Sequence, residues 1–208
     1  YACDLFIGST LQIDTYGNSS TATKGRIAGF GGAPNMGADA RGRRHESEAW
    51  VKAGREAQAN PKHMPRGRKL VVQMVETFRE HMAPAFVERL DAWDLADSMG
   101  LNNPPVMIFG DDVTHIVTEE GIANLLLCRS EEEREQAIRG VAGYTEVGMA
   151  RDKKKVEELR ARGVIKRAED LGIARRDATR DLLAAKTVKD LVRASGGLYN
   201  PPSRFRNW

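Results

Sequence analysis

Hydrophobic residues in the first part of the chain occur in short clusters separated by Gly, Ser, Thr and Asn. Leu5-Phe-Ile7 predicts a core strand, and Leu11-Gln-Ile13 alternates apolar and polar side chains as a half-buried strand does. Tyr16-Gly-Asn18 predicts a turn. We therefore expect residues 1–36 to form paired strands that lead into the glycine-rich segment Ala28–Asn35.

The pattern changes after residue 36. Residues 37–69 are polar, rich in Gly and Arg, and only weakly periodic, with a possible helix over 46–58. Apolar runs at 69–75, 106–109 and 115–118 each predict a strand. A long polar segment inside a domain more often has a function than not.

The remaining elements are predicted to be mainly helical. Residues 86–99 are expected to be helical or irregular, and another helix is expected to start at Glu119. Ser130 with Glu133 forms the pattern of a capping box, and Thr187 with Asp190 has the same spacing. Strands followed by helices predict a mixed α/β domain, of which residues 129–208 form the mainly helical part.

Composition excludes several classes of protein. The chain has 208 residues, 41% hydrophobic and 29% charged, which suits one sizeable globular domain. A net charge of +3 and the absence of a recognition motif argue against nucleic acid as a partner. The apolar run 122–128 is too short for a membrane span. Because the chain starts at Tyr1 without methionine and a core strand follows at once, we expect it to be part of a longer subunit.

The cysteines and histidines predict no metal centre. Cys3 and Cys128 form no C-x-x-C pair, and the four histidines lack the spacing of metal ligands. Free thiols are the default in a reducing compartment, so a cytoplasmic location is expected.

The strongest candidate for chemistry is Gly29-Phe-Gly-Gly-Ala-Pro34. Glycines allow close approach of the backbone, and exposed amides in such a loop can stabilise an oxyanion or bind phosphate. A purely structural turn explains the same pattern. The segment matches neither a Walker loop nor a dinucleotide-binding fingerprint.

Four carboxylates surround His115 in the sequence: Asp111, Asp112, Glu119 and Glu120. Acidic residues in the first turn of a helix are common and structural. A Glu119 side chain that faces a site is the other interpretation, and the pattern alone leaves both open.

Several segments together resemble the second half of family I CoA-transferases. They are Phe6-Ile-Gly-Ser-Thr-Leu-Gln-Ile-Asp14, Gly17-Asn18, Gly29-Phe-Gly-Gly-Ala33 and His115-Ile-Val-Thr-Glu-Glu-Gly-Ile-Ala123. Four further segments make the resemblance to malonate decarboxylase α subunits closer: Gly29–Gly37, Arg66–Val75, Glu119–Cys128 and Gly196–Trp208. The resemblance spans essentially the whole chain and implies a CoA-transferase-like α/β fold, an open mixed sheet flanked by helices.

The resemblance also implies an activity. Such subunits exchange acetyl for malonyl on the thiol of an acyl carrier protein, which releases acetate. The expected partners are therefore the carrier protein, the other malonate decarboxylase subunits, malonate and acetate. No tightly bound cofactor is expected, because the phosphopantetheine-type arm, derived from dephospho-CoA, belongs to the separate carrier.

One position departs from the family I pattern. Where those enzymes have a nucleophilic glutamate, the matching position of this chain is Gln12, whose amide cannot form an acyl anhydride. We therefore expect direct transfer, with the amides of Gly31 and Gly32 as oxyanion donors and Gln12 as a hydrogen-bond donor. The substrate-binding residues are predicted to be Gly29, Phe30, Ala33, Asn35 and Glu119.

Two other functions fit the same residues. A CoA-transferase or thioester hydrolase would act on free CoA thioesters, and a half-subunit without catalytic activity would only dock the carrier protein. CoA-transferase sites usually form between two similar halves, so an isolated half could be inactive.

Overall fold

The computed structural model describes residues 5–29, 70–102, 104–172, 184–197 and 199–206. The chain divides into two compact units, residues 1–168 and 169–208. The predictions for residues 30–69, including the helix over 46–58, lie outside the described residues.

Most of the described strands lie in the first part of the chain, and most of the described helices lie after residue 130. The strands are β1 (Leu5–Ser9), β2 (Gln12–Asp14), β3 (Ser19–Ser20), β4 (Ala22–Thr23), β5 (Arg26–Ile27), β6 (Leu70–Met74), β7 (Phe86–Val87), β8 (His115–Thr118), β9 (Gly121–Asn124) and β10 (Ile165–Lys166). The helices are α1 (Asp91–Met99), α2 (Glu131–Val141), α3 (Glu146–Met149), α4 (Lys153–Ala161) and α5 (Val188–Ala194).

A five-stranded mixed sheet in the order β1-β6-β8-β9-β10 forms the centre of the first unit. The first three strands are parallel, and Val72 lies opposite both Ile7 and His115. Strands β9 and β10 continue the sheet in antiparallel pairing. The prediction of an open mixed α/β sheet is therefore confirmed, and the strands predicted at 69–75 and 115–118 are present.

The core lies where helices α2 and α4 pack near the sheet. Ile116 of β8 and Val71 of β6 are fully buried with Ile138 of α2 and Leu159 of α4. Helix α2 begins after Ser130, whose side chain accepts a hydrogen bond from the Glu133 N–H. The Ser130 half of the predicted capping box is confirmed, and such a cap stabilises a helix by about 1 kcal/mol. The Glu133 half is wrong, because its carboxylate accepts from the Arg129 N–H and not from the Ser130 N–H.

Two smaller sheets lie beside the central one. Strand β2 pairs with β3 and β7, and β4 pairs with β5. The predicted turn after β2 is confirmed, because the Asp14 carboxylate accepts hydrogen bonds from the backbone N–H groups of Tyr16 and Asn18 at 3.0 and 2.9 Å. The Asn18 side chain in turn accepts one from the Gly110 N–H. Burial raises the pKa of Asp14 above its ordinary value, although these hydrogen bonds oppose the rise.

Two predicted elements are wrong. The residues after Glu119 do not start a helix, because Gly121–Asn124 forms β9, antiparallel to β8. A Cβ at Gly121 would lie 2.4 Å from the Lys166 carbonyl oxygen, so glycine is needed for β10 to pair here. Residues 106–109 form no strand and have only an isolated bridge between Ser19 and Ile108.

The described part of the second unit contains helix α5 and two short 3₁₀ turns, Glu169–Leu171 and Ser203–Phe205. Thr187 and Asp190 form a complete capping box at the start of α5, which confirms that prediction. Among the described residues of either unit, no helix is both long and apolar enough to cross a membrane.

Candidate functional site

A cavity of about 560 Å³ lies at the carboxyl ends of the three parallel strands. The cavity is lined by the residues at the end of each of these strands. They are residues 9–11 at the end of β1, 74–76 at the end of β6 and 117–119 at the end of β8. Open α/β sheets bind ligands at this edge, and the volume is in the range of small-molecule sites. The cavity is therefore the candidate active site.

Two additional segments contribute charged groups to the cavity. Arg26, in the β4–β5 hairpin, forms an ion pair with Glu80 at 2.9 Å. Arg79 comes from the same loop as Glu80 and also lines the cavity. The sequence patterns singled out neither arginine, although Arg79 follows a predicted parallel strand by only a few residues.

Glu119 lies at the wall of the cavity and contacts Thr77. The two carboxylate oxygens lie 3.1 and 3.2 Å from the backbone nitrogen of Thr77, which donates to them. The Thr77 hydroxyl also donates to Oε1 of Glu119. This arrangement joins the β8–β9 turn to the segment after β6. The substrate contact predicted for Glu119 stays a prediction.

The segment from Thr77 to Ala85, here called the 77–85 loop, is closed by backbone hydrogen bonds. The Ala85 N–H donates to the Thr77 carbonyl at 3.0 Å, and the Arg79 N–H donates to the Ala83 carbonyl at 2.8 Å. His81 and Met82 both have φ of 58°, in the left-handed region that favours glycine. Strained backbone of this kind costs about 1–3 kcal/mol per residue and is concentrated at functional sites.

The Arg79 guanidinium has few partners. Its Nε is buried and has no hydrogen-bond partner among the described residues. Its Nη2 lies 3.5 Å from the carbonyl oxygen of Pro84, at the limit of a hydrogen bond. Arg79 also has no carboxylate within ion-pair distance among the residues that the structure describes.

Gln12 is only 4% exposed, and its amide contacts helix α1. Its Nε2 donates to the Asp91 carboxylate at 3.2 Å, and its Oε1 accepts from the Asp91 N–H at 3.0 Å. Gln12 thus supplies an acceptor to the first turn of α1, where Leu90 provides no side-chain cap. Leu11 lines the cavity, but Gln12 is not among its described lining residues. The catalytic role predicted for Gln12 stays a prediction.

The glycine segment starts three residues after Arg26. Gly29 is exposed and is not among the described lining residues. The other predicted members of this segment, Phe30, Gly31, Gly32, Ala33 and Asn35, lie outside the described residues. Their predicted roles in substrate binding and oxyanion stabilisation therefore stay predictions.

Cys128 is a free thiol at the end of the turn that follows β9. Burial raises the pKa of Cys128 to about 11, while Arg134 and Arg162 nearby lower it by a smaller amount. A thiol with so high a pKa is almost entirely protonated at neutral pH and is a poor nucleophile. Within the described residues, no group of three or more His, Cys, Asp or Glu side chains is placed to hold a metal ion.

The model of the family described as malonate decarboxylase, alpha subunit, transporter matches residues 1–208. The chain belongs to the malonate decarboxylase α subunit family. A curated member from Malonomonas rubra, named acetyl-S-ACP:malonate ACP transferase, is 64% identical over 211 residues. That match covers all of this chain and 38% of the relative. The chain therefore spans less than two fifths of the length of this relative.

Two solved structures of the family are similar to the chain throughout. The crystal structure of a Pseudomonas malonate decarboxylase hetero-tetramer in complex with malonate matches with a TM-score of 0.71 and 56% identity, over 100% of this chain and 37% of that one. A malonate decarboxylase α subunit from Acinetobacter baumannii matches with a TM-score of 0.72 and 56% identity, over 97% of this chain and 38% of that one.

Proposed function

We propose that the chain forms part of an acetyl-S-ACP:malonate ACP transferase. The observation that carries the proposal is the 64% identity, across the whole chain, to a relative with that name. The cavity at the carboxyl ends of β1, β6 and β8 offers about 560 Å³ for the reacting groups. The activity belongs to the longer subunit that contains this chain, working in a cytoplasmic complex with the carrier protein and the other malonate decarboxylase subunits.

We also assign the sheet to the CoA-transferase superfamily. Two of the four segments of the resemblance lie in described strands that border the cavity. Phe6–Asp14 lies in β1 and β2, and His115–Ala123 lies in the β8–β9 hairpin. The order of the strands brings residues that follow β1 and β8 to one cavity, although they lie over 100 positions apart in sequence.

The proposed reaction balances without an added cofactor. One carboxylate of malonate attacks the acetyl thioester on the carrier arm, and the carbon–sulfur bond breaks to release the thiolate. The thiolate then attacks the malonyl carbon of the mixed anhydride and expels acetate. The products are malonyl-carrier and acetate, and the arm of the carrier is a dephospho-CoA-derived phosphopantetheine.

The protein contributes position and oxyanion stabilisation to these steps. We propose that the amides of Gly31 and Gly32 donate to each developing oxyanion. Thr10 lies at the turn between β1 and β2, where its hydroxyl oxygen is 2.9 and 2.7 Å from the carbonyl oxygens of Gln12 and Ser20 and can donate to either one. Preorganised donors and ordered reactants account for much of the rate enhancement in acyl transfer.

The test is a transfer assay on the assembled complex. Labelled malonate and acetyl-carrier should give labelled malonyl-carrier together with an equal amount of free acetate. Rapid reaction of acetyl-CoA with no transfer to the carrier would instead favour an enzyme that acts on free CoA thioesters. Binding of the carrier without any transfer would favour a docking subunit.

A further inference from the structure

We propose that Arg79 binds the distal carboxylate of the dicarboxylate substrate, the one that takes no part in acyl transfer. This inference rests on the proposed function and adds the residue that selects a dicarboxylate over a monocarboxylate. It starts from the two guanidinium groups among the described residues of the cavity, Arg26 and Arg79.

The two arginines differ in their partners. Arg26 is paired with Glu80 at 2.9 Å, so its charge is already compensated. Arg79 has a buried Nε without a hydrogen-bond partner and one contact at 3.5 Å with the Pro84 carbonyl. The Nε is shielded from solvent, so an anionic ligand in the cavity meets the Nη groups of Arg79. No described carboxylate compensates their charge.

A carboxylate suits this donor. The two Nη groups of a guanidinium form a planar edge that donates to both oxygens of a carboxylate. Malonate carries a second carboxylate one carbon beyond the reacting one, whereas acetate carries none. Binding at Arg79 therefore adds an interaction that only the dicarboxylate can make.

The carboxylates that line the described part of the cavity favour a cation at the ligand. Three carboxylates line the described part of the cavity: Glu76, Glu80 and Glu119. Glu80 is compensated by Arg26, and Glu119 accepts hydrogen bonds from Thr77. A dianion that enters this cavity is repelled by the carboxylates unless a cation meets it, and Arg79 is the cation without an ion-pair partner among the described lining residues.

The 77–85 loop that carries Arg79 is anchored at both ends. The Glu119–Thr77 hydrogen bonds join it to the β8–β9 turn, and the Ile13 N–H of β2 donates to the Ala85 carbonyl at 2.8 Å. Two consecutive left-handed residues, His81 and Met82, turn the chain just after Arg79. Strain in this loop is the expected cost of holding a side chain at the cavity.

The experiment compares Arg79→Met and Arg79→Lys in the assembled complex. With Arg79→Met we expect the KM for malonate to rise about 10- to 100-fold, as for the loss of a charged hydrogen-bonded pair. The KM for acetyl-carrier should not change, and neither should the exchange of labelled acetate into acetyl-carrier, because acetate has no distal carboxylate. Arg79→Lys keeps the charge and should lie between Arg79→Met and the unmodified protein.

The matched control is Arg89→Met, which removes an exposed arginine paired with Asp94 outside the described lining of the cavity. This variant should leave the KM for malonate, the KM for acetyl-carrier and the rate of acetate exchange unchanged. An equal loss of malonate transfer and acetate exchange in Arg79→Met would overturn the proposal. So would a raised KM for acetyl-carrier with an unchanged KM for malonate, because the arginine would then bind the carrier arm.

Calorimetric titration with malonate tests Arg79 independently of turnover. The inference is supported if the unmodified protein binds malonate and Arg79→Met binds it 10- to 100-fold more weakly. If the same proteins show no transfer, the proposed function fails while the role of Arg79 stands. Equal affinities, or no binding by the unmodified protein, would refute the role of Arg79. The Arg79 side chain has one described contact, so both variants should fold, which circular dichroism would verify.

Discussion

Thr77 donates its backbone N–H to both carboxylate oxygens of Glu119, at 3.1 and 3.2 Å, across 42 positions of sequence. The hydrogen bonds connect the ends of two neighbouring parallel strands at the edge where the cavity opens. Glu119 thus has a structural role that its place in the family motif does not reveal.

Replacement of Glu119 by alanine tests this role. Glu119→Ala leaves the part-buried Thr77 N–H without its acceptor and should lower the free energy of unfolding by about 1–3 kcal/mol. Urea denaturation measures the change, and Glu132→Ala on the exposed side of α2 is the matched control. If Glu119→Ala unfolds at the same urea concentration as the unmodified protein but loses affinity for malonate, Glu119 binds substrate and does not support the loop.

Variants of Gln12 test whether this residue stabilises the fold through its contact with α1. Gln12→Ala removes the acceptor of the Asp91 N–H and should cost about 1–3 kcal/mol of stability. Gln12→Glu places a carboxylate where the amide nitrogen lies 3.2 Å from the Asp91 carboxylate, so repulsion should destabilise it further at pH 7. Urea midpoints at pH 7 and pH 5 should show this additional loss shrinking on acidification. Full stability in both variants would rule out the contact with α1.

Gly110 should not tolerate any side chain. A Cβ at this position would lie 2.0 Å from the carbonyl oxygen of Tyr16, so Gly110→Ala must displace the turn after β2 and should cost about 3 kcal/mol or more. Gly25→Ala is the control, because its Cβ would meet no described atom within 4 Å. Thermal unfolding of both variants gives the comparison. Equal melting temperatures would show that the turn does not pack against Gly110.

The contribution of Glu133 to the stability of the fold should depend on pH. The Arg162 guanidinium at 2.5 Å and the Arg129 N–H at 2.9 Å lower the pKa of Glu133 from 4.5 to about 2. A carboxyl whose folded pKa is depressed stabilises the protein above its unfolded pKa, and this contribution is lost as the pH falls from about 4.5 towards 2. The difference in urea midpoint between the unmodified protein and Glu133→Gln should therefore be largest near pH 7 and shrink below pH 4.5.

The matched control is Glu132→Gln, which changes an exposed carboxyl next in sequence. Its urea midpoint should follow that of the unmodified protein throughout. A difference for Glu133→Gln that stays constant from pH 7 to pH 3 would show that Glu133 stabilises the fold by packing and not by charge.

The sequence predicted the three strands that pair in parallel, though not their pairing, and missed the hairpin after them. Residues 69–75 and 115–118 are short apolar runs between turn signals, as buried strands are, and both form strands. The run Ile122–Leu127 fits a buried strand or a helix equally well by periodicity. Its pairing with β8 and β10 decides the outcome, and pairing is a tertiary property.

The residues of the candidate site were also predicted only in part. The residues that follow β1 and β8 were singled out through family segments, and they do line the cavity. Arg79 was missed because nothing near it in sequence marks it. Its position depends on the contact between Thr77 and Glu119 and on left-handed backbone at His81 and Met82, which are not glycines.

The half-buried thiol of Cys128 has a consequence for a protein that transfers acyl groups to sulfur. With a pKa of about 11, only about one Cys128 in 10,000 is ionised at pH 7. Under the proposed function, the thiolate of the carrier arm therefore meets no competition from this side chain for the acyl group.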